Sequence, residues 1–346
     1  MLKWYEETDK ESPNIVYSRI RLVRNWDEYP FSGKLSREQA GEMVNRLERG
    51  MRDFCLEDGR DFDYMPLENL SDLDRRALRE RRILNETLAG KKEPAGLILS
   101  RDERVSVVLN GDDHIRMQFI APGMRLKELW READRADDFI NERFDYAYDD
   151  KYGFLTAFPT NVGTGLRASA VVHLPSLSSG RKFASLLGEM SRFGASIRGL
   201  YGEGDENYGS LYVVSNQKTL GVTEEEIVEI VEKVARQLSS QEQQVRDRAR
   251  AADSLGLQDE AYKSYGVLRY ARRLSWKDAM VFLSRLMAGA SDGLLEFAEP
   301  CPIFSVMLGI QRANLQKITE RPLSREELDV ARASYIRAEL PELKLA

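Results

Sequence analysis

Three short β-rich runs, Leu97 to Leu99, Val105 to Leu109 and Ile115 to Ala121, follow one another with only the charged turns SRDER and NGDD between them. Neighbours joined by turns this short pair by reversing direction, so the stretch predicts an antiparallel meander. Ala168 to Leu174 and Ser210 to Val214 are later strand candidates, and KFASLLGEMSRFGASI and EEEIVEIVEKVARQL carry helical periodicity between and after them. Upstream, SREQ at Ser36 is a Ser-x-x-Gln capping box opening an amphipathic helix through Met43, Val44, Leu47, Met51 and Phe54. Residues 71–90 read as a second helix stopped by Gly90. The predicted fold class is α+β, an antiparallel β-sheet flanked by helices.

A chain of 346 residues has room for two domains. The almost wholly polar run Ser239 to Asp253 predicts the boundary, giving a catalytic-type domain over 12–240 and a helical one over 250–346. Ser275 with Asp278, and Ser324 with Glu327, cap helices in that second part, which reads as a small bundle.

Composition narrows the chemistry. The net charge of −6 argues against a polycation that wraps nucleic acid. Cys55 and Cys301 are too few for a disulfide scaffold or a cysteine metal cluster, which fits a reducing cytoplasm. The start of the chain lacks an apolar leader segment and no run of 18 apolar residues occurs, so neither secretion nor membrane insertion is expected. His114 and His173, the only histidines, leave little material for a Ser-His-Asp triad or a multi-histidine metal site. Arginine outnumbers lysine 37 to 14, and its planar fork suits phosphate and carboxylate.

Four segments concentrate that chemistry. In SRIRLVRN, Arg19 and Arg21 share a face if the stretch is extended; the alternative is an edge strand with solvated arginines. In PTNVGTGLRAS, Gly163 and Gly165 permit close backbone approach ahead of Arg167, either to a phosphate or within an unliganded hairpin connection. NGDDHIR carries Asp112 and Asp113 in a tight turn, and IRGLYGEGDENYG sets Arg198 ahead of Glu203 and Glu206.

Taken in order, YSRIRLVRN, NGDDHIR, FPTNVGTGLRAS, RGLYGE and SNQKTLGVTE resemble the guanidino (phosphagen) kinase motifs SSRxRxxRN, NEEDHxR, CPTNxGTGxRAS, RGxxGE and SNxxxLGxTE. Within that family the chain looks like the bacterial protein-arginine kinases of the McsB type, whose extra domain the helical remainder resembles. The resemblance implies an ATP-dependent, Mg²⁺-assisted phosphotransferase acting on arginine side chains of proteins and marking them for a Clp-type protease. It also implies a homodimer, an activator protein, no membrane and no direct nucleic-acid binding. The readings set against it are a weakened pseudokinase or adaptor that binds nucleotide or phosphoarginine, and a small-molecule guanidino kinase.

By the same resemblance Arg19, Arg21, Arg116, Arg167 and Arg198 form an arginine cage on the ATP phosphates. The nucleotide-lining stretches are Tyr17, Ser18, Arg19, Ile20 and Arg21; Arg167, Ala168, Ser169, Ala170 and Val171; and Arg198, Gly199, Leu200, Tyr201, Gly202 and Glu203. Arg82 stands where relatives carry a base-stacking His. Asp112, Glu203 and Glu206 are the carboxylate candidates for orienting the acceptor and taking its proton. Three departures fall on the acceptor side: Phe158 for the family Cys, Gly111 for one Glu, and Asp112, a methylene shorter, for the other. In the C-terminal part LDVARA resembles the phosphoarginine-binding RDxxRA, with Leu328 in place of Arg while Asp329 and Arg332 remain.

Overall fold

The computed structural model describes residues 1–9, 11–202 and 206–344. Its strands are β1 (Ile15–Arg24), β2 (Phe62–Pro66), β3 (Gly96–Ser100), β4 (Val105–Leu109), β5 (Ile115–Pro122), β6 (Tyr148–Asp149), β7 (Gly153–Phe154), β8 (Leu166–His173), β9 (Ala195–Gly199) and β10 (Leu211–Asn216). Eight of these make one sheet in the order β2, β3, β4, β5, β1, β8, β10, β9, and β6 pairs with β7 alone. The predicted meander is present, with Leu97 opposite Val108 and Val107 opposite Met117 in antiparallel register. β1 then runs antiparallel to β5, placing Arg21 opposite Gln118 and Val23 opposite Arg116.

The helices are α1 (Arg37–Asp58), α2 (Asp72–Glu80), α3 (Glu86–Gly90), α4 (Leu126–Asn141), α5 (Pro175–Ser178), α6 (Phe183–Ser191), α7 (Glu224–Ala252), α8 (Ser254–Tyr270), α9 (Trp276–Ser291), α10 (Ile303–Gly309), α11 (Arg312–Thr319) and α12 (Arg325–Glu339). Both predicted capping boxes close, Ser36 with Gln39 on α1 and Ser324 with Glu327 on α12. Among the described residues no helix is long and apolar enough to cross a membrane.

The chain divides into two compact units, one of residues 1–4, 17–170 and 215–233, the other of residues 5–16, 171–214 and 234 onward. In the first, Leu67, Leu78, Ile83, Leu88, Leu97 and Val108 form a buried cluster beneath α2 and α3. In the second, α8 packs on α9 and α12, and Leu328 of α12 closes a small apolar cluster with Leu315 and Leu323.

Three local expectations change. Residues 71–90 are two helices rather than one, broken over 81–85, where Arg82 sits at φ 69°. The helix expected to continue through GASI stops at Ser191, and Gly194 at φ 90° turns the chain into β9. The polar run from Ser239 is the C-terminal part of α7, and its buried face is polar: Glu242 accepts from the N–H groups of Ser176 and Leu177, and Arg246 pairs with Asp292.

Each unit buries one neutral histidine. His114 accepts from the Trp26 N–H at Nδ1 and donates to the Pro30 carbonyl through Nε2, and burial lowers its pKa. His173 lies against Ser284, and burial, with Arg246 nearby, pushes it down to about 3. An unfolded imidazole titrates near 6.5, so the contribution of His173 is fully present above that pH and is lost progressively down to about 3. At pH 5 the loss from this one group is about 2 kcal/mol, or roughly 4–8 °C in thermal midpoint. Midpoints measured at pH 7 and pH 5 should differ less in His173→Gln than in the parent; an equal drop in both would overturn the assignment.

Candidate active site

Alternation along β1 puts Tyr17, Arg19, Arg21 and Val23 on one face and Ser18, Ile20, Leu22 and Arg24 on the other. Residues directly opposite in an antiparallel pair share a face, so Arg116, opposite Val23, joins Arg19 and Arg21. Arg19 donates from Nε to Ser169 Oγ at 3.2 Å, which brings β8 and Arg167, two residues before Ser169, to that side as well. The pKa of Arg21 is driven well below the usual arginine value by burial and then by Arg19, Arg116 and Arg167, with Asp112 acting the other way. Arg116 is lowered to about 10 by burial and Arg19, again opposed by Asp112. Four guanidinium groups that repel one another around a half-buried surface make a site complementary to a polyanion.

The framework behind these arginines comes from the same motifs. Arg24 points the other way, is buried, pairs with Asp137 at 2.6 Å and stacks 3.6 Å above the Phe154 ring. Its Nη1 donates to the carbonyls of Val23 and Thr164, tying the glycine-rich segment to β1. Asn216 donates to the Leu166 carbonyl and accepts from the Ala168 N–H, gripping both neighbours of Arg167. Thr219 Oγ1 donates to the carbonyls of Thr160 and Val162. The SNQKT segment, given no role on sequence grounds, is therefore the clamp of PTNVGTGLRAS. The room left by the missing side chains is filled by the chain itself. A Cβ on Gly165 would lie 2.5 Å from Arg24 Nη1, and one on Gly163 would overlap the Thr219 carbonyl.

Tyr17, Ser18, Ile20, Ala168, Ser169, Ala170 and Val171 are buried, so on these strands the projecting groups are the arginines. Ser18 Oγ accepts from the Arg125 N–H. Arg82 is half-buried, and its carbonyl accepts from Gln118 Nε2. On the second unit, Arg198 is exposed at the end of β9, and Gly199 and Gly202 approach so closely that neither accepts a Cβ without displacing backbone. Leu200 donates its N–H to the Leu211 carbonyl, Tyr201 packs edge-on to Trp276, and Glu206 is exposed. Glu203 lies outside the described residues.

On the acceptor side Asp112 is half-buried and close enough to influence Arg21, Arg116 and Lys91. Asp113 is buried and accepts from Asn25 Nδ2 at 2.7 Å and the Ala157 N–H at 2.6 Å, anchoring the segment that leads to Phe158. Desolvation raises the Asp113 pKa against those two bonds. Phe158 is 48% exposed. Gly111 has ordinary room for a Cβ, so its backbone does not demand glycine. Neither thiol is a nucleophile candidate, because burial pushes Cys55 to about 11 and Cys301 to about 12. Among the described residues no group of three His, Cys, Asp or Glu side chains is arranged to hold a metal ion.

Arg332 of α12 is buried and donates to Asp329 Oδ1, the Leu274 carbonyl and the Ile310 carbonyl. A phosphate at Arg332 would have to displace these internal partners.

Residues 42–245 match the family model described as ATP:guanido phosphotransferase, C-terminal catalytic domain, and residues 254–345 match the protein-arginine kinase McsB C-terminal domain. The chain is 35% identical over 342 residues to the protein-arginine kinase of Desulforamulus reducens, covering 99% of this chain and 96% of that one. It is 36% identical over 326 residues to that of Caldanaerobacter subterraneus subsp. tengcongensis, covering 94% and 96%. Among solved structures it is similar to the duplicated taurocyamine kinase of Schistosoma mansoni, with a TM-score of 0.58 and 27% identity over 66% of this chain and 33% of that one. Lombricine kinase shares the fold, with a TM-score of 0.58 and 22% identity over 70% of this chain and 69% of that one.

Proposed function

The chain belongs to the ATP:guanido phosphotransferases and, among them, to the protein-arginine kinases, and from that premise we propose that Arg19, Arg21, Arg116 and Arg167 hold the ATP phosphates while Asp112 orients the acceptor guanidinium. What supports this assignment is the convergence of four arginines on one face of β1, β5 and β8 with the half-buried Asp112 carboxylate within the field of Arg21 and Arg116. Arg198 and Glu206 of the second unit carry their phosphate and acceptor roles by motif position alone.

A guanidinium is cationic and a poor nucleophile, so it must lose a proton as it reacts. In the proposed step one terminal guanidino nitrogen attacks the γ-phosphorus and the N–P bond forms. The bond to the bridging β,γ-oxygen breaks, ADP leaves with that electron pair, and the displaced guanidino proton passes to Asp112. Charge spread over the transferred group in a loose transition state is held by arginines already fixed on a sheet, with no reorganisation at the moment of reaction. Mg²⁺ arriving with the nucleotide would add to the charge compensation that Arg19, Arg21, Arg116 and Arg167 give the phosphates. At the cellular level the proposal places the enzyme in the cytoplasm, with a second copy, an activator and a Clp-type protease as partners.

The test is incubation with Mg-ATP and an arginine-rich unfolded protein, followed by phosphorus NMR for acid-labile phosphate on arginine, with Arg167→Ala as control. Phosphoarginine from the parent and none from the control is expected. Nucleotide-dependent thermal stabilisation without product would instead select a binding-only relative. Turnover on free arginine but not on protein would select a small-molecule kinase.

A further inference from the structure

The carboxylate assigned to the acceptor does not sit in its turn unaided. The segment running from the break after α2 to Pro94, past the end of α3, is bonded to residues 110–112 at three points. Asn85 Nδ2 donates to Asp112 Oδ2 at 2.9 Å, Lys91 Nζ donates to the Gly111 carbonyl at 2.8 Å, and Asn110 Nδ2 donates to the Pro94 carbonyl at 2.6 Å. The orientation of the Asn85 amide is fixed from its other end, because Oδ1 accepts from the Leu88 N–H as the cap of α3. Its NH₂ is thereby committed to Asp112. The stretch just before Asn85 is held from β5: Arg116 Nη2 donates to the Ile83 carbonyl, and Gln118 Nε2 donates to the Arg82 carbonyl at 3.1 Å. The strand that supplies a phosphate-side arginine therefore also anchors the segment leading into the residue that holds the acceptor-side carboxylate.

We propose that Asn85 is a positioning residue for phosphoryl transfer, which locks one oxygen of Asp112 so that the other, Oδ1, meets the acceptor guanidinium. Oδ1 takes no hydrogen bond from any described residue. The inference rests on the reading of Asp112 given above. An aspartate carboxyl has two rotatable bonds and, unheld, samples orientations that place neither oxygen on the acceptor; fixing it matters because displacements near 1 Å cost on the order of 100-fold in rate. Serine caps helices about as well as asparagine but is too short to span from the cap to Asp112.

The experiment compares Asn85→Ser, Asp112→Asn and the double variant, reading transfer of γ-phosphate to an unfolded protein acceptor, KM for Mg-ATP and thermal midpoint. Expected are a fall in kcat of about 10-fold in Asn85→Ser with KM for Mg-ATP and midpoint unchanged, a loss of at least about 100-fold in Asp112→Asn, and no further loss in the double variant. Asn85→Asp keeps the cap but sets a second carboxylate against the first, and is expected to fall further than Asn85→Ser. If Asp112→Asn turns over like the parent, the reading of Asp112 itself fails. If Asp112→Asn is impaired but Asn85→Ser keeps full kcat, or lowers activity equally in the Asp112→Asn background, the positioning role is overturned while that of Asp112 stands.

Discussion

Replacing Arg21 by glutamine should lower phosphoryl transfer by about 10³-fold or more while raising the thermal midpoint of the nucleotide-free protein. The two effects have one cause. Burial, followed by Arg19, Arg116 and Arg167, disfavours the Arg21 cation, and Asp112 offsets only part of this. Without nucleotide that repulsion is offset only in part, so its removal should stabilise the fold by about 1 kcal/mol, or roughly 2–4 °C. With nucleotide bound, the same charge faces phosphates, and a pre-placed arginine on a transferring phosphoryl group is worth about 10³ to 10⁵ in rate. Glutamine retains the polar end and much of the length but no charge. Turnover and melting of parent and variant, each with and without Mg-ATP, decide the matter. A variant that loses activity and also melts earlier without nucleotide would mean that Arg21 serves the fold and not the phosphates.

One part of this arrangement was legible because its pattern is short-range: two arginines spaced by two on a strand must share a face. Arg116 and Arg167 entered through motif resemblance, and they reach that face only because β1 lies beside β5 and Arg19 meets Ser169 of β8. The features that escaped are set by partners distant in sequence. Residues 71–90 have helical composition, yet the chain breaks at 81–85, where Arg116 and Gln118 hold the carbonyls of Ile83 and Arg82. Asn85 then looks like a simple helix cap, and nothing local reveals that its amide reaches Asp112. The stretch from Ser239 reads as a domain boundary because a helix face that buries Glu242 and Arg246 has no apolar stripe. A glycine-rich loop likewise advertises close approach without saying to what.

Gly163 makes that last point testable, and its replacement by alanine should have the largest effect on stability of any single methyl added to this loop. Its φ of 109° lies beyond the left-handed region that L-residues occasionally adopt. The added Cβ would also overlap the Thr219 carbonyl and lie 2.9 Å from Leu220 Cα, both backbone groups. Neither can retreat cheaply. The Thr219 carbonyl accepts from the Thr164 N–H, its hydroxyl holds the carbonyls of Thr160 and Val162, and Gly163 exchanges two backbone hydrogen bonds with Phe154. Backbone strain and a clash against clamped neighbours together put the cost at about 3–5 kcal/mol. Gly221 is the matched control: its φ is 74°, but nothing lies within 4 Å of its Cβ position, so Gly221→Ala should cost only about 1 kcal/mol. Denaturant unfolding of the two variants separates strain from overlap. The functional consequence follows from the chain path, because Arg167 is four residues beyond Gly163 and both of its neighbours, Leu166 and Ala168, are held by Asn216. Gly163→Ala should therefore lose nucleotide-dependent stabilisation at temperatures where it is still folded, whereas Gly221→Ala should keep it. Equal stability of the two alanine variants would mean that the loop is free to move, and that the fixed placement of Arg167 has another origin.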